Sequence, residues 1–162
     1  SIYKNLYGIV GVGSNYKRKK IVNEIDRIYK NFKWETIISK NSILNGNIKI
    51  GDGTLIMSGA VINNQTKIGH HCIINTSSSI DHDNIFNDFS STGPGVVSGG
   101  NLKVGKISHL GIGSVIKNNI SIGKNVVIGG NSYVNKNCVD NSLYFGVPAK
   151  RVKKRKFNES YL

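Results

Sequence analysis

Acidic side chains are scarce in this chain of 162 residues. Nine Asp and Glu stand against 22 Lys and Arg, for a formal net charge of +13. That balance favours anionic partners: nucleotides, coenzyme phosphates, nucleic acid or an acidic membrane. Aromatic residues number only 13 and form no obvious base-stacking platform, so a nucleic-acid role would rest on charge alone and none is expected. No apolar run approaches membrane-spanning length and no signal peptide opens the chain, so no membrane partner is expected and the cytoplasm is the expected compartment. Cysteine is limited to Cys72 and Cys138. The length suits one solid core with one appended piece.

What the chain has in abundance is a period of six. From about Thr36 to Asn137 a large apolar residue recurs at every sixth position, with no insertion breaking the count: Ile38, Leu44, Ile50, Ile56 and so on to Val134. Of 17 consecutive units, 15 carry a bulky apolar residue in register, and Thr92 and Ser98 are the departures. Two positions earlier sits a mostly small or β-branched residue, and the next position is often Gly. Residues two apart on a strand share a face, so both recurrent positions point inward. Gly, Asn and Asp suit the corner that follows. Each unit is then a short strand plus a corner, three units make a triangular coil of 18 residues, and the whole is mainly β with about 5–6 stacked coils. Cys72 and Cys138, 66 residues or 11 units apart, fall on different faces about three coils from one another, too far for a disulfide. Both occupy inward positions, which suits buried structural residues rather than nucleophiles.

Three segments follow from this frame. Residues 1–35 hold a strand over Asn5–Gly11 and an amphipathic helix over about Tyr16–Asn31, capped by Ser14 or Asn15. One strand and one helix cannot stand alone, so they are expected to pack on the end of the coils or on a neighbouring subunit. Residues 36–140 are the coils, and 141–162 a basic tail. Within the coils, Ser90–Asn101 is poor in bulk and rich in glycine, as expected for an edge approached by a ligand or a thinner stretch of core.

His82 is the candidate for chemistry. It lies at a corner in Ile80-Asp81-His82-Asp83, where a flanking carboxylate can hold one tautomer and stabilise the charged imidazole. The residue one coil above it is Gly100, whose amide could face an acyl oxygen beside His82. His70 and His71 occupy a corner where polar residues are usual, and His109 an outward strand position. His82 and His109 differ by 27 residues, which is not a multiple of 18, so they do not stack and no metal site is expected.

The six-residue register resembles that of the hexapeptide-repeat acyltransferases. More narrowly, Cys72-Ile73-Ile74-Asn75-Thr76, Ile80-Asp81-His82-Asp83, Asp88-Phe89, Pro94-Gly95 and Gly146-Val147-Pro148-Ala149-Lys150 resemble the sialic acid O-acetyltransferase and UDP-4-amino-sugar N-acetyltransferase family. The resemblance implies a left-handed parallel β-helix with a short N-terminal strand-helix remnant of an α/β domain. It implies His82 as general base supported by Asp83, the Gly100 amide as donor to the acetyl group, and Asn75 and Asp81 lining a sugar site. Ile112 and Gly130 match main-chain contacts to acetyl-CoA, and Lys150 belongs to the closing signature. Ser91 stands where the family often carries a second His near the coenzyme. Gly13, Asn15 and Arg18 resemble a nucleotide-contacting loop, although the earlier part of that α/β half is missing. The implied activity is acetyl-CoA-dependent N-acetylation of a nucleotide-linked 4-amino sugar within a homotrimer. O-acetylation of sialic acid or another sugar hydroxyl is the alternative, and a non-catalytic β-solenoid binding module the remote one.

Overall fold

The computed structural model describes residues 6–161. Seventeen two-residue strands, from β3 (Ile37–Ile38) to β19 (Tyr133–Val134), recur at six-residue intervals and stack as three parallel sheets. The body is the left-handed parallel β-helix implied above. Residues 18 apart are direct partners: Ile62 pairs with Ile80, Ile80 with Ser98 and Ser98 with Ile116. Val61 N–H donates to Ser78 O at 2.8 Å and Asn63 N–H to Ile80 O at 2.9 Å, and the pattern repeats up the stack. The inward aliphatics Ile56, Ile62, Ile74, Ile80, Leu110, Ile116 and Ile128 are buried in one continuous core. Corners use left-handed backbone, with Asp83 at φ 57°, Asn101 at 57° and Asn119 at 60°. Short polar side chains tolerate this region best, which accounts for the many corner asparagines. At Gly105 a Cβ would run into the Gly123 carbonyl carbon, so close stacking of coils requires glycine there.

The departures at Thr92 and Ser98 face the core and form a polar layer inside it. Thr92 Oγ1 accepts from Asn75 N–H at 2.8 Å and bonds Ser78 Oγ at 2.9 Å. Ser98 Oγ accepts from Asn84 Nδ2 at 3.0 Å, and Asn84 Oδ1 accepts from Leu102 N–H at 2.7 Å. Their partners make burial tolerable, while Phe86, Val96 and Leu102 supply bulk.

The three outer faces differ. Face I carries Ile73, Ser91, His109 and Val127 and is largely covered. Face II carries Ile43, Val61, Ser79, Val97, Val115 and Tyr133; Ile43, Val97 and Val115 are exposed apolar groups. Face III carries Lys49, Lys67, Ile85, Lys103 and Ser121.

The N-terminal segment departs from expectation in its boundaries and in where it docks. Strand β1 (Leu6–Gly8) is shorter than Asn5–Gly11, of which Asn5 lies outside the described residues. It pairs parallel with β2 (Phe32–Trp34) and leaves Tyr7 exposed. Helix α1 (Asn15–Ile28) starts one residue early and stops three early, capped by Ser14 and closed where Tyr29 N–H donates to Ile25 O. The helix docks on the edge between faces III and I, not on the end of the coils, where Ile38 and Leu44 remain exposed.

Arg18 explains the docking. It is 1% exposed and donates to the carbonyls of His71, Val12, Gly13 and Phe89 and to Asn15 Oδ1. Asn15, fully buried, donates to the carbonyls of Ile107 and Ser108. His71 adds a stack on Phe89 and an edge contact with Trp34.

The C-terminal stretch is not a free tail. Strand β20 (Ser142–Gly146) extends face I by pairing with β18 (Val127–Ile128), and turns at Val147-Pro148 into the antiparallel β21 (Ala149–Lys154). The chain then returns to α1, where Tyr161 Oη accepts from Asn15 N–H at 2.8 Å, donates to Gly13 O at 3.2 Å, and its ring stacks on His109.

Because Arg18 clamps helix to coils, Arg18→Ala is expected to lower unfolding free energy by about 2–4 kcal/mol. Denaturant titration measures this, and an unchanged midpoint would contradict the role.

Candidate functional site

The corner between faces II and III holds His82. Its ring is exposed, and Nδ1 lies 2.7 Å from Asp83 Oδ2. Asp81 Oδ1 accepts the His82 backbone N–H at 2.8 Å, which ties the acid on the other side into the corner. Bonding to Asp83 raises the His82 pKa above the ordinary histidine value, and the charge of Asp81 adds to the rise. With Nδ1 engaged, Nε2 is the nitrogen left to exchange a proton. Gly100 lies directly over the ring, where a Cβ would meet His82 Cε1 at 2.7 Å and Nε2 at 2.8 Å. The Gly100 amide has no hydrogen-bond partner among the described residues, and the neighbouring Asn101 N–H is taken by His82 O at 3.1 Å. The spacing of 18 thus brings base, carboxylate and an available amide together.

The corner between faces I and II opens into a cleft of about 470 Å³. Asn75, Gly93, Pro94, Gly111, Ile112, Gly129 and Gly130 form one side, and Phe145, Lys153, Arg155, Glu159 and Tyr161 another. So Asn75, expected at the sugar, lines one cleft with Ile112 and Gly130, expected at acetyl-CoA, whereas His82, Asp83, Gly100 and Asp81 stand on the opposite edge of face II. Asn75 and Asp81 do not converge within one chain.

Other expected contacts need correction. Asn15 and Arg18 spend their side-chain polar atoms on the fold, and Gly13 O is taken by Arg18 and Tyr161, so neither side chain is left to contact a nucleotide. Lys150 is exposed on the hairpin opposite Phe145 and does not line the cleft; Lys153 and Arg155 do. Ser91 is buried with Oγ 2.9 Å from His109 Nδ1, and it is His109, read from sequence as an ordinary outward residue, that lines the cleft. Burial pushes the His109 pKa down to about 4, with help from the charges of Arg18 and Arg155, so its ring is neutral. The Ser91–His109 register of 18 was available in sequence, but the covering Tyr161 was not. Both cysteines are free and buried, and burial lifts Cys72 to about 11 and Cys138 to about 12, which removes them as nucleophiles at neutral pH. Among the described residues no three His, Cys, Asp or Glu side chains converge as metal ligands.

Comparison with known proteins agrees with this architecture. Residues 47–82 match the family described as bacterial transferase hexapeptide, six repeats. PerB from Caulobacter crescentus, solved with CoA and GDP-perosamine, is 28% identical over 91% of this chain and 70% of its own, with a TM-score of 0.88. A histidine-to-asparagine mutant of perosamine N-acetyltransferase from the same organism, with the same ligands, is 27% identical over 92% and 70%, TM-score 0.88. The acetyltransferase domain of PglB from Neisseria gonorrhoeae, in complex with acetyl coenzyme A, is 26% identical over 89% and 69%, TM-score 0.84. The chain is thus similar to hexapeptide-repeat transferases, the family model covering residues 47–82.

Gly100→Ala is expected to push the imbalance onto His82: the added Cβ displaces the ring from Asp83. The His82 titration midpoint, followed by NMR, should then fall toward the ordinary value of about 6.5. An unmoved midpoint would contradict the packing described.

Proposed function

We propose that this chain transfers an acetyl group from acetyl-CoA to the amino group of a nucleotide-linked 4-amino sugar, with His82 as general base. The observation that carries the reading is the His82–Asp83 pair beneath the unpartnered Gly100 amide. Structural relatives solved with CoA and GDP-perosamine support the choice of substrates. His82 Nε2 takes a proton as the amine nitrogen attacks the thioester carbonyl. Asp83 holds the imidazole and stabilises its charge, and the Gly100 amide steadies the oxyanion. The C–S bond then breaks, the amide is complete, and the CoA thiolate leaves to be protonated. No acyl-enzyme is needed, since neither cysteine is activated.

The assembly is a homotrimer in this reading. His82 borders face II on one side and the Asn75–Ile112–Gly130 cleft borders it on the other. Packing of exposed, apolar face II against a neighbouring copy removes Ile43, Val97 and Val115 from water. A heterologous contact that closes as a ring sets the His82 edge of one copy beside the cleft edge of the next. The chain's positive balance suits substrates rich in phosphate. The cytoplasm, where acetyl-CoA and nucleotide sugars occur, is the compartment in this reading.

The test is release of CoA thiol from acetyl-CoA against GDP-, UDP- and dTDP-linked 4-amino sugars and sialic acid. Turnover on a 4-amino sugar is expected, falling by about 10²–10⁴ in His82→Ala. Turnover confined to sialic acid would move the reading to O-acetylation, and no turnover together with no CoA binding would contradict it. The base must be neutral to act, and its pKa is raised, so activity is lost as pH falls through a midpoint above about 6.5. Asp83→Asn should shift that limb of the kcat/KM profile to lower pH; a limb that stays in place would argue against the pair.

A further inference from the structure

The turn after β21 buries a cation that no carboxylate among the described residues pairs with directly, although the charge of Glu159 acts on it. Arg155 is 5% exposed. One terminal nitrogen donates to Glu159 O at 2.6 Å, and its backbone N–H donates to Asn141 O at 2.8 Å. Its Nε has no hydrogen-bond partner among the described residues. The nearby carboxylate of Glu159 is engaged elsewhere: Oε1 pairs with Lys153 Nζ at 2.6 Å, and Oε2 accepts Lys156 N–H at 3.3 Å. The guanidinium lies over the Tyr161 ring, 5.7 Å from its centroid. Arg155 forms part of the cleft wall with Lys153 and Tyr161, across from the glycine-rich corner. Arg18 makes the contrast: equally buried, it places its nitrogens on five oxygen acceptors. A buried guanidinium with an idle donor is costly to keep, and burial depresses its pKa, so its retention calls for an anion that arrives with a ligand.

We propose that Arg155 is the anion-binding residue of the cleft and takes a phosphate group of one of the two nucleotide-bearing substrates. This rests on the acetyl-transfer reading for the identity of those substrates, but not for the presence of an anion subsite. The planar guanidinium fork suits two oxygens of one phosphate, which a lysine cannot match. Lys153, partly neutralised by Glu159, adds positive potential without competing for the fork.

The experiment is calorimetric titration of the full chain with CoA, dephospho-CoA and GDP, comparing wild type, Arg155→Gln and Arg155→Lys. Arg155→Gln is expected to weaken one ligand class by about 10- to 100-fold, the span of a lost charge-assisted bond. A loss confined to CoA and absent with dephospho-CoA assigns the 3′-phosphate; a loss with both assigns the coenzyme diphosphate; a loss confined to GDP assigns the sugar nucleotide. The ligand-free Tm of Arg155→Gln should hold or rise, whereas a purely structural arginine would lower it. If Arg155→Gln does not fold, Arg155→Lys, which keeps the charge and loses the fork, should still weaken the same ligand. Equal affinities in all three proteins, or no binding to any, would overturn the subsite. Binding that depends on Arg155 without turnover on any amino sugar would instead sink the acetyl-transfer reading and leave the subsite standing.

Discussion

Backbone hydrogen bonds between successive coils, typified by Val61 N–H to Ser78 O at 2.8 Å, hold the rest of the structure in register. Through Val134 they fix each strand residue over the one 18 positions earlier. A slip of one residue would turn the inward aliphatics outward, so the buried core and the ladder enforce each other. The same register puts Gly100 on His82 and His109 on Ser91. The chemistry of the molecule is therefore written at intervals of 18, and the corners, freed from packing duty, carry it.

The constraint also separates the site into halves. His82, Asp83 and Gly100 lie on one edge of face II, and the cleft with Asn75, Ile112 and Gly130 lies on the other. Face I is occupied by its own N- and C-terminal segments, and face III is lined by Lys49, Lys67 and Lys103. Only face II offers both an apolar surface and two incomplete half-sites at its borders. In the proposed reading, assembly and catalysis share this surface.

The β-helix was legible because the period of six is local: each unit declares its inward residue and its corner within the sequence. His82, Asp83 and Gly100 were legible for the same reason, since stacking follows by counting. The misread residues are those whose surroundings depend on segments outside the period. Arg18 and Asn15 look like ligand contacts until the helix is laid on the corner carbonyls of His71, Phe89 and Ile107. Arg155 and Tyr161 look like a solvated tail until β20 and β21 turn the chain back over face I. His109 looks ordinary until Tyr161 covers it. No spacing rule joins residue 161 to residue 15; that contact is decided by tertiary packing.

The central claim, that each site draws its base from one copy and its cleft from the next, is tested most directly by mixing two inactive variants. One carries His82→Ala; the other carries Ile112→Trp, which starts from an exposed side chain, fills the cleft and leaves His82 intact. Refolded together from denaturant in equal amounts, they should regain activity in about a quarter of the sites of a closed ring, because a quarter pair an intact base with an intact cleft. A mixture as inactive as its components, with mixed trimers present by mass, would contradict a site shared between copies.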